Sequence, residues 1–77
     1  MDNLGKAKAG KFYQILGYSE NVAIKIKRRL LELGLTVGQT VKIARKSLLG
    51  KAYLLEVRGY SLSMRRNLAS FILVRLA

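Results

Sequence analysis

The sequence predicts a mainly β fold with some α structure, a small barrel of about five short strands with one inserted helix. The hydrophobic period changes from helical spacing before Gly34 to alternation after Gly38. Short alternating segments separated by glycines then follow, as in small barrels. Because 77 residues support one modest core, we expect a single domain over residues 1–77.

The chain opens with a small, basic arm and a first strand. Residues 4–10 are predicted to form the arm, with Leu4 docked as an anchor, and residues 11–18, KFYQILGY, the strand. Its apolar residues lie on both faces: Tyr13 and Ile15 on one, Phe12, Leu16 and Tyr18 on the other. This pattern predicts a strand that is covered on both sides.

An amphipathic helix is predicted over about residues 21–33, with Asn21 as its N-cap. The apolar residues of its core-facing stripe follow helical spacing: Val22, Ile26, Leu30 and Leu33. Ile24 and Leu31 lie on the opposite side among lysines and arginines, seven residues apart and therefore aligned. A helix buried over a wide face would explain them, and so would a docking patch for a partner.

A joint with two glycines, RRLLELGLTVG over residues 28–38, ends the helix. Gly34 fits the left-handed position that follows a helix, and Leu35 is expected to fold back onto Leu30. Gly38 fits a turn that needs a positive φ. The joint therefore decides where helical structure stops and the strands begin.

Three strands, a helical turn and a closing strand complete the predicted order. The strands are placed at residues 40–46, 51–58 and 60–64, the turn at about 65–70 and the last strand at 71–76. The side chains predicted to face the core are Val41, Ile43, Tyr53, Leu55, Val57, Tyr60, Leu62, Met64, Ile72 and Val74. Closure into a barrel would remove exposed edges, which matters in a chain without proline.

Composition argues against an enzyme. The chain has no cysteine and no histidine, and its acidic residues are Asp2, Glu20, Glu32 and Glu56. These residues offer no nucleophile–base pair and few ligands for a transition metal, and no glycine-rich phosphate loop is present. We therefore expect a binding or regulatory module without a metal site or a cofactor.

The formal charge of +11 predicts attraction to an anionic partner, such as nucleic acid, anionic lipid or an acidic protein face. Nucleic-acid binding is the alternative function, but Tyr53 and Tyr60 are predicted to face inward and not to form an exposed stacking platform. The N-terminus lacks an apolar stretch of secretory length, and the longest apolar runs, residues 52–55 and 71–74, are too short to span a membrane. A cytoplasmic location is expected.

Three segments resemble the FeoA family, the small cytoplasmic proteins of ferrous iron uptake: KRRLLELGLTVGQTVKI (27–43), LLGKAYLLEVRGYSLSMRR (48–66) and LASFILV (68–74). The resemblance implies an SH3-like barrel with an inserted helix, which matches the predicted order. It also implies an accessory role, binding and modulating the cytoplasmic part of FeoB, the membrane ferrous iron transporter, which carries a GTP-binding domain. The chain would then lie near the membrane only because its partner is a membrane protein. Self-association of the chain is possible.

The barrel appended to iron-dependent repressors is similar to FeoA. These 77 residues contain no helix-turn-helix, so a free-standing protein is expected. The sequence departs from the FeoA pattern where the family often has proline: Ala9, Val37, Leu48 and Ala52 stand at those places. Losing proline loosens loops through the entropy of the unfolded chain and leaves the predicted barrel unchanged.

The predicted partner face combines Ile24, Leu31 and the Leu48–Leu49 loop, with Lys27 and Arg28 at its rim. A narrower alternative role for the basic surface is to supply an arginine in trans to a nucleotide bound by the partner. The candidates for that role are Arg28, Arg29, Arg65 and Arg66. A solvated or phosphate-attracting basic surface is the simpler explanation of these arginines.

Overall fold

A computed structural model describes residues 2–77 as six antiparallel strands, two helices and a 3₁₀ turn. The elements are β1 (Asp2–Asn3), the 3₁₀ turn (Leu4–Lys6), β2 (Phe12–Tyr18), α1 (Ile24–Glu32), β3 (Thr40–Lys46), β4 (Ala52–Val57), β5 (Tyr60–Arg65), α2 (Arg66–Ala69) and β6 (Ile72–Leu76). The predicted fold class, mainly β with an inserted helix and a short helical turn, is confirmed. The strand count is one higher than predicted because β1 has only two residues, too few to show a period.

The strands pair in the order β1-β6-β2-β3-β4-β5. Pairing does not run from β5 back to β1, so the expectation that hydrogen bonding closes the barrel is wrong for the described residues. Instead, α2 contacts both β5 and the 3₁₀ turn that follows β1. A helix therefore lies where a closed barrel would have a further pair of strands, which is one way to cover a sheet edge.

The core is formed by the alternating inward faces of the strands. The largest fully buried side chains are Leu4, Ile15, Leu30, Leu35, Val41, Ile43, Leu55, Val57, Ile72 and Val74. The inward faces predicted for β3, β4 and β6 are confirmed, and Leu4 anchors the N-terminal arm as expected. Two predictions of burial are wrong: Tyr60 is exposed, and the second face of β2 is largely uncovered, since Phe12 and Leu16 are exposed and Tyr18 packs only partly against the core.

The inserted helix begins at Ile24, three residues later than predicted, and Asn21 is not its cap. Ser19 explains the difference, because its hydroxyl accepts from the Asn21 amide at 3.3 Å and its carbonyl accepts from the Val22 amide at 3.1 Å. These bonds make a local turn that competes with helix, as serine side chains commonly do. Ala23, at the cap position, is extended and provides no side-chain hydrogen bond.

The joint after α1 has the geometry of a Schellman motif. Gly34 has a φ of +88°, its amide donates to the Leu31 carbonyl at 3.0 Å, and the Leu35 amide donates to the Leu30 carbonyl at 3.0 Å. Leu30 and Leu35 are both fully buried, which confirms the expected apolar contact across the motif. The chain thus leaves the helix in one defined direction.

Tyrosine hydroxyls hold the segments that lie outside the sheet. On either side of Gly34, Tyr18 of β2 donates to the Leu35 carbonyl at 2.5 Å, and Tyr60 of β5 donates to the Leu33 carbonyl. Two further tyrosines bond to the N-terminal arm: Tyr13 accepts from the Lys8 amide at 2.9 Å and Tyr53 donates to the Gly5 carbonyl at 2.5 Å. All four tyrosines of the chain therefore connect a strand to a non-strand segment.

Gly34→Ala is expected to destabilise the fold by about 2–4 kcal/mol, measured as the free energy of urea unfolding. The positive φ is strained for alanine, and the added Cβ would meet the hydroxyl of Tyr60. Gly38→Ala isolates the strain, because Gly38 has a φ of +90° and open space around it, and should cost about 1–2 kcal/mol.

Gly17→Ala is the baseline for this series, since Gly17 has neither a positive φ nor a neighbour within 4 Å of an added Cβ. Adding Tyr60→Phe to Gly34→Ala should recover part of the loss by removing the clash. A Gly34→Ala cost no larger than that of Gly38→Ala would contradict the role given to Tyr60.

Candidate partner-docking surface

The outer side of α1 exposes two large apolar side chains. Ile24 is 73% exposed and Leu31 is 42% exposed, although the helix buries Leu30 completely. Both follow from helical geometry, because residues seven positions apart return to the same side of the helix. Ile26 and Leu33 pack partly against the core, so the buried face of the helix is narrow.

Ile24 lines a cleft of about 550 Å³ at the start of the helix. Its apolar wall is formed by Tyr18 from β2, Val22 from the preceding turn and Val37 from the joint. Val37 is 62% exposed and was not predicted as part of a site. The sequence feature that could have pointed to Val37 is that a branched apolar residue stands where the FeoA pattern often has proline.

Tyr18 connects this cleft to the joint. Its hydroxyl donates to the Leu35 carbonyl, and the Nζ atom of Lys27 lies 5.6 Å from the centroid of its ring. The ammonium therefore sits over an aromatic face, within the range of a cation–π interaction. Burial raises the pKa of the Tyr18 hydroxyl above its ordinary value. The neutral donor form of Tyr18 is thus the one that the folded protein favours.

Cations surround the apolar residues of the helix. Lys27 and Arg28 are exposed, as expected for a rim, and Lys25 and Arg29 are exposed beside them. The helix carries a single acid, Glu32. We call Ile24, Leu31 and Val37, with Lys27 and Arg28, the helix surface. An apolar centre with a charged rim is typical of a protein interface.

Leu48 and Leu49 lie in a second place, at the turn between β3 and β4. Leu48 is 102% exposed and Leu49 is 75% exposed, so neither side chain is covered. Leu49 lines a cleft with Lys51, Arg65 and Arg66, whereas Ile24 and Val37 line another. Val37 precedes β3 and the turn follows it, so the seven residues of that strand lie between them. The six residues predicted as one partner face therefore fall into two groups, the helix surface and the dileucine turn of Leu48 and Leu49, and a shared partner face stays a prediction.

Two further features of residues 2–77 concern metals and membranes. Within them, no three histidine, cysteine, aspartate or glutamate side chains come together in a group that could hold a metal ion. No helix among these residues has both the length and the apolar character needed to cross a membrane.

A model of the FeoA domain matches residues 3–76. Among solved structures, a FeoA-like protein from Clostridium acetobutylicum has a TM-score of 0.88 and 28% identity, with 97% of this chain and 85% of that chain covered. The FeoA protein from Chlorobium tepidum has a TM-score of 0.84 and 32% identity, with 96% and 69% covered. No curated protein sequence matches the chain.

FeoA from Stenotrophomonas maltophilia, solved with zinc and described as an SH3 domain protein, has a TM-score of 0.84 and 23% identity, with 97% of this chain and 91% of that chain covered. This likeness supports the SH3-like fold. It carries no metal site over to this chain.

Stability is expected to fall as the pH rises through the folded-state pKa of Tyr18. Because that pKa is raised, the stabilisation is complete below the unfolded value of about 10 and is lost above it as the hydroxyl ionises and can no longer donate. Urea unfolding across this range should show a shallower alkaline decline in Tyr18→Phe than in the parent. Identical declines in the two proteins would exclude this role of Tyr18.

Proposed function

The chain belongs to the FeoA family, and on this premise we propose that it binds the cytoplasmic part of a FeoB-type ferrous iron transporter and modulates its activity. The family is associated with ferrous iron transport. The Stenotrophomonas relative has been described as a candidate activating factor of that transport. An accessory protein of this kind acts in the cytoplasm, at the inner face of the membrane.

The observation that carries the proposal is the helix surface. Ile24, Leu31 and Val37 expose apolar area that the fold itself does not use, and packing at the centre of an interface is where binding energy concentrates. The basic rim and the net charge of +11 favour an acidic face on the partner and accelerate its encounter. We infer that this surface docks on the cytoplasmic domain of the transporter.

Any change that this chain causes in the transporter's activity then depends on catalytic groups that the transporter itself provides. This chain has no histidine or cysteine, and its tyrosine hydroxyls are engaged with backbone groups. A change in GTP turnover would therefore follow from how docking positions the partner's catalytic groups. Arg28 lies within the helix surface and is the arginine best placed to approach a nucleotide held by that partner.

Leu31→Glu is expected to weaken binding to the isolated cytoplasmic domain of the transporter by at least about tenfold, because it places a charge at the apolar centre. Isothermal titration calorimetry measures the affinity, and GTP turnover of the same domain reports modulation. The fold should be retained, since Leu31 is partly exposed. Ile24→Glu and Val37→Glu should act in the same direction.

Phe12→Glu is the matched control, because Phe12 is also exposed but lines a different cleft, between β2, β3 and the β4–β5 turn. It should bind like the parent protein. Unchanged affinity in all three helix-surface variants, with circular dichroism showing a native fold, would reject this surface as the docking site. Loss of fold in Leu31→Glu would mean that Leu31 belongs to the core.

Nucleic-acid binding is the alternative function, and one feature favours it. Phe12 and Tyr60 line a cleft of about 380 Å³ together with Lys42 and Arg58. The Nζ atom of Lys42 already lies 5.6 Å from the Phe12 centroid, however, and the Tyr60 hydroxyl fixes its ring against the joint by donating to the Leu33 carbonyl. An extended stacking platform is therefore not formed there.

Fluorescence anisotropy with an oligothymidylate should accordingly show weak binding that disappears as salt is raised, as expected for charge alone. Nanomolar affinity at physiological salt, lost in Phe12→Ala, would favour the alternative over transporter docking.

A further inference from the structure

We propose that the dileucine turn is a membrane-binding element that inserts Leu48 and Leu49 into the interface of an anionic bilayer. The turn connects β3 to β4 and presents the two leucines at its central positions, between Ser47 and Gly50. Polar residues and glycine are usual at such positions, because the tip of a turn faces water. The assignment rests on the turn itself and does not depend on which protein the helix surface binds.

The backbone of the turn is held firmly without any help from the leucines. The Gly50 amide donates to the Ser47 carbonyl at 2.9 Å, and the Ser47 amide donates to the Ala52 carbonyl at 2.8 Å. The Ser47 hydroxyl oxygen also accepts from the amides of Lys51 and Ala52, each at 3.1 Å. The leucines are therefore displayed on a preorganised turn, which lowers the entropic cost of inserting them.

The cations beside the turn complement an anionic surface. Leu49 shares its cleft of about 830 Å³ with Lys51, Arg65 and Arg66, and no acidic residue lines this cleft. Glu56, the one acid within β3–β5, pairs with Ser61 towards the opposite end of the β4–β5 hairpin, whereas Arg65 pairs with Ala52 beside the turn. Apolar side chains flanked by cations suit the boundary between acyl chains and anionic headgroups.

The exposure of the leucines favours a bilayer over a soluble ligand or a protein. A free phosphate would engage the cations but leave both leucines in water. A protein partner usually buries about 800 Å² of surface on each side, far more than the tip of one turn offers. A bilayer accepts a protruding tip directly, because its interface adapts to the inserted side chains.

The test is co-sedimentation with vesicles of phosphatidylcholine containing about 30% phosphatidylserine, near physiological ionic strength. The parent chain should bind these vesicles and not pure phosphatidylcholine. Leu48→Ser/Leu49→Ser should lower the partition coefficient by at least about tenfold, since the inserted apolar area is lost. Ile24→Ser/Val37→Ser is the matched control, because it removes two exposed apolar side chains from the helix surface, and it should bind like the parent.

Two double variants that remove the same charge distinguish the effect of the cations beside the turn from the effect of the net charge. Lys51→Gln/Arg65→Gln, beside the turn, should weaken binding by roughly fivefold for each cation. Lys42→Gln/Arg58→Gln removes the same charge near the opposite end of the β4–β5 hairpin and should have a much smaller effect. Equal losses in the two pairs would show attraction by net charge only and would overturn the assignment.

A fluorescent reporter tests insertion directly, because the chain contains no tryptophan. Emission from Leu49→Trp should shift to the blue on the anionic vesicles, and emission from Val37→Trp should not. Inorganic phosphate at the same anion concentration should cause no shift. Absence of the Leu49→Trp shift, or a shift produced by the soluble transporter domain in place of the vesicles, would overturn the proposal.

Discussion

The rest of the structure depends on how the chain turns at Gly34. The glycine adopts a φ that other residues resist, and the two amide–carbonyl bonds of the motif set the direction in which the chain leaves α1. Tyr18 and Tyr60 then hold the carbonyls on either side of it from two strands, β2 and β5, which are not neighbours in the sheet. A helix of nine residues is marginal alone, so these ties to the sheet help to keep it in place.

The same arrangement explains why apolar side chains remain outside. Once Leu30 and Leu35 are buried under the joint, the opposite side of α1 cannot reach the core, and Ile24 and Leu31 stay in solvent. Val37 is carried to the same region by the short segment after the glycine. The dileucine turn is independent of this joint, because its backbone is closed by Ser47 alone. The fold thus exposes apolar side chains both on the helix surface and at the dileucine turn, in each case beside basic residues.

Sequence reasoning succeeded where a local pattern decides the structure and failed where distant segments meet. Alternation was sufficient for β3, β4 and β6, and Gly34 marked the end of the helix. The start of the helix was misplaced because the hydrogen bonds of Ser19 outcompete the cap expected at Asn21. The exposure of Ile24 and Leu31 followed from helical periodicity, and that of Leu48 and Leu49 from their place in a loop. The arrangement that brings Val37 beside Ile24 depends on tertiary packing that no local pattern encodes.

The most direct test of two separate surfaces is a titration followed by nitrogen-15 NMR, first with the transporter's cytoplasmic domain and then with anionic vesicles. The domain should perturb amides around Ile24, Leu31 and Val37 and leave Leu48 and Leu49 unchanged. The vesicles should broaden the dileucine turn first. Perturbation of both regions by the domain alone would contradict the division and restore a single partner face.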